Sequence, residues 1–292
     1  MNKLILIGLL VFNIASCQNK ENTNTIIKKS NIMNDQPIYT LKISVANPYE
    51  TYVNDMPVEK DYEKGSTNTE IPVNDFILKS GVQFVKIVLL PEKGKSEVDK
   101  SGIDYVNVKI YQYPHGLSNM SSEDKVLIKE FNLSEFRESP VISKEIQFEA
   151  RVHYEVKGWS ESADLSKENL NVLKDEVLDK YSEIKQTLNE GDTLGLSKKY
   201  QKRNEEIYTS LYNDITSITE DKKWMHERIL KSKGKMIPFE NLKVVFYAKG
   251  KIVSLENLNH ESPLIANIDD KEEVYNILLH RPKSGSPLEV IR

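Results

Sequence analysis

The side chains in this 292-residue chain that could do chemistry are five histidines, one cysteine and a few acidic runs. The histidines are His115, His153, His226, His260 and His280. No two stand at i, i+4 on one helix and no H-E-x-x-H occurs, so a zinc site would need ligands from distant segments. His226-Glu227 has no second ligand nearby in sequence. His153 falls on the polar face of a strand pattern, and His280 ends an apolar run just before Arg281-Pro282. A serine nucleophile needs a special turn. No G-x-S-x-G is present, and Ser284-Gly285-Ser286 reads as a loop beside prolines. The 12 glycines sit singly at turns, so no phosphate-cradling loop exists. Asp269-Asp270 with Glu272-Glu273 offers oxygen ligands for calcium. That spacing is not an EF-hand loop and lacks its internal glycine, so acidic residues at the start of an element are the better reading. The residue types therefore assign no catalytic residue, no cofactor and no metal ligand.

Cys17 is the only cysteine, and it closes a leader. Lys3 gives a short positive start, residues 4–12 are apolar, and Ala15 and Ser16 are small. That is the layout of an export signal, and nine apolar residues are too few to span a bilayer, which takes about 20. Ile14-Ala15-Ser16-Cys17 resembles the lipobox of bacterial lipoproteins. The resemblance covers the first 17 residues. It implies removal of residues 1–16, diacylglycerol on the Cys17 sulfur and an acyl chain on the new amino group. Two or more chains hold a protein stably on a membrane. No aspartate follows the cysteine, since Gln18 stands there. The resemblance thus implies a cell-envelope protein anchored at the outer membrane, facing the periplasm or the surface. With the sole thiol lipidated, disulfides and cysteine nucleophiles are excluded.

Net charge is −4, or −5 once Lys3 leaves with the leader, and 29% of residues are charged. That balance gives no footprint for nucleic acid. Residues 17–36 are rich in Asn, Lys and Thr and read as a lipidated, flexible tether closed by Pro37.

The elements beyond the tether change period once. Over residues 37–158 the signal is β. Leu41, Ile43 and Val45 alternate with polar residues, as do Val106, Val108 and Ile110. Tyr49, Thr51 and Val53 make a shorter run, and residues 82–90 are apolar on both faces, as in a central strand. Six alternations from Ile146 to Val156 predict one long strand with a wet face. Turn signals include Asn54-Asp55, Ser80-Gly81, Lys93-Gly94 and Lys100-Ser101-Gly102. We read an antiparallel β-sandwich, immunoglobulin-like or jelly-roll-like.

Residues 159–292 read as an α+β domain, so the fold class is mixed. Leu170, Leu173, Val177, Tyr181, Ile184 and Leu188 predict an amphipathic helix capped by Gly191. A second helix is expected from Leu196 through Ile218. A third, N-capped by Thr219, carries Trp224 and Leu230 and stops at Gly234. A hairpin around Lys249-Gly250, a strand over 274–280 and a last strand over 288–291 follow. Helices followed by such strands resemble, in element order alone, the cone-shaped folds of the nuclear transport factor 2 type.

Tyrosine is frequent, at 14. Tyr49, Tyr52 and Tyr62 cluster, as do Tyr111 and Tyr113, and such rings suit protein or carbohydrate contact when exposed. The run Glu59-Lys60-Asp61-Tyr62-Glu63-Lys64 reads as a solvated loop. Lys198, Lys199, Lys202 and Arg203 read as a solvated face balanced by Glu205 and Glu206. The expectation is a non-catalytic lipoprotein that binds a partner, a protein before a glycan. Toxin neutralisation and envelope assembly are roles that would fit. The alternative is an envelope hydrolase, or a glycan-binding protein, with a site between the domains. A hydrolase would draw on His153, His226 or His280, and convergence of two of them with an acid is the mark to look for.

Overall fold

The structure is a computed structural model that describes residues 35–62 and 65–292. Cys17, the leader and most of the tether lie outside the described residues. Gln36, the last tether residue, is already tied to the body. Its N–H donates to Pro114 O, and the Gly116 N–H donates to its carbonyl, both at 2.8 Å.

Eight strands build the sandwich: β1 (Ile38–Val45), β2 (Tyr49–Val53), β3 (Met56–Asp61), β4 (Thr67–Pro72), β5 (Gly81–Leu89), β6 (Asn107–Tyr113), β7 (Val126–Phe131) and β8 (Ile142–Ala150). They pair antiparallel into two sheets, ordered β4-β1-β6-β7 and β3-β2-β5-β8. Leu41, Ile43 and Val45 from one sheet meet Val85, Ile87 and Leu89 from the other in one apolar core. The alternation of β1 and β6 thus does what period-2 patterning demands, whereas β5, expected to be apolar on both faces, buries one face fully and leaves the other partly exposed. Asn54 and Asp55 turn β2 into β3 with φ of 53° and 63°, the left-handed pair that Asn and Asp tolerate in a tight hairpin.

Two expectations in this region fail. The long strand ends at Ala150, because its partner β5 begins at Gly81, the residue opposite Ala150. The alternation continues without a ladder: Val152 and Val156 stay buried, with their N–H groups bonded to Ser80 Oγ and Leu78 O. Residues 100–102, expected as a turn, instead open a short helix α1 (Lys100–Tyr105). Asp99 caps it by accepting from the Gly102 N–H at 3.0 Å.

The second half carries α2 (Leu170–Glu190), α3 (Thr193–Lys199), α4 (Gln201–Ser210) and α5 (Ile215–Lys231). Leu173, Val177, Tyr181, Ile184 and Leu188 bury one stripe of α2, and Gly191 closes it at φ 69°. The expected second helix is a composite. Tyr212, at φ 54°, breaks the chain after α4. Ile215 and Ile218 belong to α5, whose N-cap is Asp214, bonded to the Ser217 N–H at 2.8 Å. Thr219 lies inside α5, and its hydroxyl donates to Ile215 O.

Six short strands follow: β9 (Lys243–Tyr247), β10 (Ile252–Glu256), β11 (Ile265–Ile268), β12 (Lys271–Val274), β13 (Leu279–His280) and β14 (Glu289–Val290). One antiparallel sheet runs β14-β13-β10-β9, and β11-β12 is a separate hairpin. The strand expected over 274–280 is therefore two. Asp269 and Asp270, at φ 51° and 61°, form the two-residue turn of the β11–β12 hairpin, and Glu273 pairs with Arg228. The acidic run is turn chemistry rather than a calcium loop. Helix α2 packs across β10 to close a second apolar core that holds Leu196, Tyr200, Ile229, Leu264 and Leu288. The fold is mixed, a sandwich followed by helices on an antiparallel sheet. Among the described residues, no helix is long and apolar enough to cross a membrane.

Candidate functional site: the junction between the halves

The two halves meet through a third apolar cluster of Tyr52, Met56, Trp159, Tyr247, Ala248, Ile252 and Ile291. Two polar groups flank it. The first lies where β2 and β3 face β9 and β10. Lys60, 12% exposed along its side chain, donates to Tyr247 Oη and, at 2.8 Å, to Glu256 Oε1. Tyr247 donates to the same carboxylate oxygen. Glu256 Oε2 has no hydrogen bond, with Lys243 Nζ at 3.8 Å and His260 Nδ1 at 4.0 Å. Beside them Glu50 accepts from Tyr52 at 2.5 Å and from Tyr62, and the Tyr62 ring stacks on His260 with centroids 4.2 Å apart. The β2–β3 turn seals the contact. The N–H groups of Ala248 and Lys249 donate to the Asp55 carbonyl and carboxylate at 3.1 and 2.9 Å.

The second group forms around the last residue, Arg292. Its guanidinium donates to Glu206 Oε2 at 2.9 Å, to Asp75 O at 2.8 Å and to Ile291 O at 2.7 Å, and it lies over the Trp159 ring. Glu206 also accepts from the Gly158 N–H. Asn74, fully buried, ties β1 to α4 by accepting from the Tyr39 N–H and donating to Pro37 O and Ser210 O.

The electrostatics follow from burial and pairing. Burial pushes Tyr52, Tyr62 and Tyr247 above the ordinary phenol range, and neighbouring carboxylates push them further. Burial raises the Glu50 carboxyl, but the phenols of Tyr52 and Tyr62 outweigh it and hold Glu50 below the usual range. Burial, then Lys243, lowers His260. The phenols are thus neutral donors at neutral pH, and Glu50 is an acceptor they fully engage. Lys60 is the donor of this group that fixes one half against the other, while Tyr52, Tyr62 and Tyr247 donate to carboxylates of their own half.

The histidines named from sequence do not converge. His153 is exposed, with Nε2 3.0 Å from Asp35 on the sandwich. His226 stands on α5 at the rim of a hollow between helices. His280 is buried, its Nδ1 2.7 Å from Ser162 Oγ. Burial, then Lys202, Arg292 and Lys157, lowers its pKa to about 4. Its Nε2 has no partner, so the pair lacks the orienting carboxylate of a nucleophile–base dyad. Among the described residues, no group of His, Asp and Glu could hold a metal ion.

The clustered tyrosines turn inward. Tyr49, Tyr52 and Tyr113 are buried, and their hydroxyls donate to Glu59, Glu50 and Glu70. Sequence reasoning placed Lys60 in a solvated loop, yet it sits in β3 with its ammonium in the junction. Glu256, Tyr247, Asn74 and Arg292 carried no sequence signal, because the partners Lys60, Ser210 and Glu206 that they meet at the junction lie 86 to 196 residues away. The tyrosine cluster around Glu50 was the only hint. No family model, no curated protein and no solved structure matches this chain.

Proposed function

We propose that this chain is a lipid-anchored, non-catalytic binding module of the bacterial cell envelope, held through Cys17 at the outer membrane and acting on a protein partner. The observation that carries the binding part is the junction. Lys60 reaches from the sandwich to Tyr247 and Glu256 of the second half, while Glu50 beside it takes Tyr52 and Tyr62. Ionisable groups spent this way lock two surfaces into one body, and a locked body suits presentation of a composite surface. The separation of His153, His226 and His280 weighs against a hydrolase built from them. The lipobox residues Ile14-Ala15-Ser16-Cys17 support the anchor.

Two experiments test the reading. Cys17→Ser should abolish incorporation of labelled fatty acid, and undiminished labelling would remove the anchor. Crosslinking in the native cell, with an affinity handle in the exposed Gly94-Lys95 turn, should recover one reproducible protein. The handle does not belong at Arg292, whose side chain is buried in the junction. Recovery of glycan material alone would overturn the choice of a protein partner.

A further inference from the structure

Glu256 uses only one of its carboxylate oxygens. Its side chain is 5% exposed, and Oε1 takes both Lys60 and Tyr247. Oε2 is buried without a hydrogen bond. Buried polar atoms rarely go unpaired, so the nitrogens nearest to Oε2 matter. Lys243 Nζ stands 3.8 Å away and His260 Nδ1 4.0 Å away. Those two instead bond each other at 2.5 Å. An ammonium can only donate, so Nδ1 is the acceptor and the neutral ring carries its proton on Nε2.

The backbone holds His260 in place. The turn over 257–261 closes through Asn257, whose N–H donates to Glu261 O at 2.9 Å. Asn257 Oδ1 accepts from the Asn259 and Glu261 N–H groups at 2.8 and 3.1 Å. The His260 N–H donates to Asn257 O at 3.1 Å, and its φ of 61° lies in the left-handed region. The ring lies over Tyr62 of the sandwich, with 4.2 Å between centroids and 23° between planes. The charged groups that face it are Lys243 from β9, Glu256 from β10, Lys60 from β3 and Glu50 from β2. Lys60 is enclosed and bonded to Glu256 and Tyr247, so it cannot retreat. Lys243 can, since 38% of its side chain is exposed.

We propose that His260 is a pH-operated contact in the junction: on taking a proton at Nδ1 it displaces Lys243 and becomes the second donor to Glu256, with its ring still on Tyr62. The lone pair that held the lysine becomes an N–H, and the proton comes from solvent, which reaches a side chain 37% exposed. Two positive groups 2.5 Å apart repel, and the one on the longer, freer stem leaves. The new N–H must close about 1 Å to reach Oε2, because such a bond spans about 3 Å. Charge on the ring also strengthens its attraction to the Tyr62 face. Burial and Lys243 both oppose the protonation, so the exchange falls on the acid side of an ordinary histidine. The halves stay locked on both sides of the titration, while one ammonium passes from the junction to the surface. The exchange depends on neither the anchor nor a partner.

The test is NMR on the purified, isotope-labelled full chain in detergent, followed from about pH 8 to about pH 4. At neutral pH the His260 ring should show the Nε2–H form. The Lys243 ammonium signal, protected from solvent exchange at neutral pH, should be lost with the same midpoint as the ring titrates. The ring-current shift of Tyr62 on His260 should persist throughout. Lys243→Met should raise the midpoint and leave the stack in place, and Glu256→Gln should lower it. Lys243→Met changes a partly exposed side chain, so it decides the case even if Glu256→Gln weakens the fold. A neutral ring protonated on Nδ1, a Lys243 signal unchanged across the titration, or a midpoint that Lys243→Met does not raise each overturns the exchange. Loss of the ring-current shift at the midpoint would mean that the ring leaves the junction, and it too overturns the proposal.

Discussion

The sandwich interior and the junction bury side chains by opposite means. In the sandwich, Ile43, Val45, Ile87 and Leu89 leave water with nothing to satisfy, and the gain is area and packing. In the junction, an apolar patch is flanked by charge. Lys60 and Glu256 are almost fully enclosed at one end, and Arg292 and Glu206 at the other. Burying a charge costs several kcal/mol unless a partner answers it; Lys60 depends on Glu256 of the other half, and Arg292 depends on Glu206 of its own half and on the Asp75 carbonyl of the sandwich. The apolar core tolerates many solutions of similar volume. The polar junction accepts one relative placement of the halves, because a shifted half leaves charges stranded.

The largest effect that sharpens this contrast should come from Glu256→Ala. It strands Lys60 and the Tyr247 hydroxyl, and urea unfolding should show a loss of about 4 kcal/mol. Combining Lys60→Met with Glu256→Leu should restore most of that stability, because an apolar pair removes the need for pairing. A double variant as weak as the single one would mean that the junction is held by packing rather than by charge. Ile87→Ala in the sandwich should cost about 3 kcal/mol through lost transfer energy and a cavity. No second substitution at a polar group should rescue it.

A smaller effect separates the regions by pH. His280 has a pKa of about 4 in the folded chain and an ordinary value near 6.5 when unfolded. The unfolded chain therefore binds the extra proton between those values. The contribution is fully present above about pH 6.5 and is lost as pH falls through 4, by about 3 kcal/mol in all. Melting temperature should decline across that window, and His280→Gln should flatten the slope. An unchanged slope in His280→Gln would place the titration elsewhere. Ile87→Ala should lower the whole curve without altering its shape.

Much of the fold was legible in the residues. The alternation of β1 and β6, the stripe of α2 and the Gly191 cap act within one element, so their physics is local. Legibility failed where an element's end depends on something distant. β8 stops because β5 does, and nothing between Ile146 and Val156 announces it. The helix expected through Ile218 divides because Tyr212 adopts a left-handed backbone and Asp214 caps a new helix. Lys60 looked like any solvated charge in its run, and only the arrival of β9 and β10 encloses it.

The sequence by itself determined the change of period from strands to helices, the faces that enter the two cores, and the resemblance of Ile14-Ala15-Ser16-Cys17 to a lipobox. Those are properties of spacing along one chain, and spacing survives without knowledge of the fold. Tertiary structure alone decided which charges become neighbours: Lys60 with Glu256 across 196 positions and Arg292 with Glu206 across 86. Electrostatic energy depends on distance and dielectric. Both are set only when the two halves close on each other and exclude water.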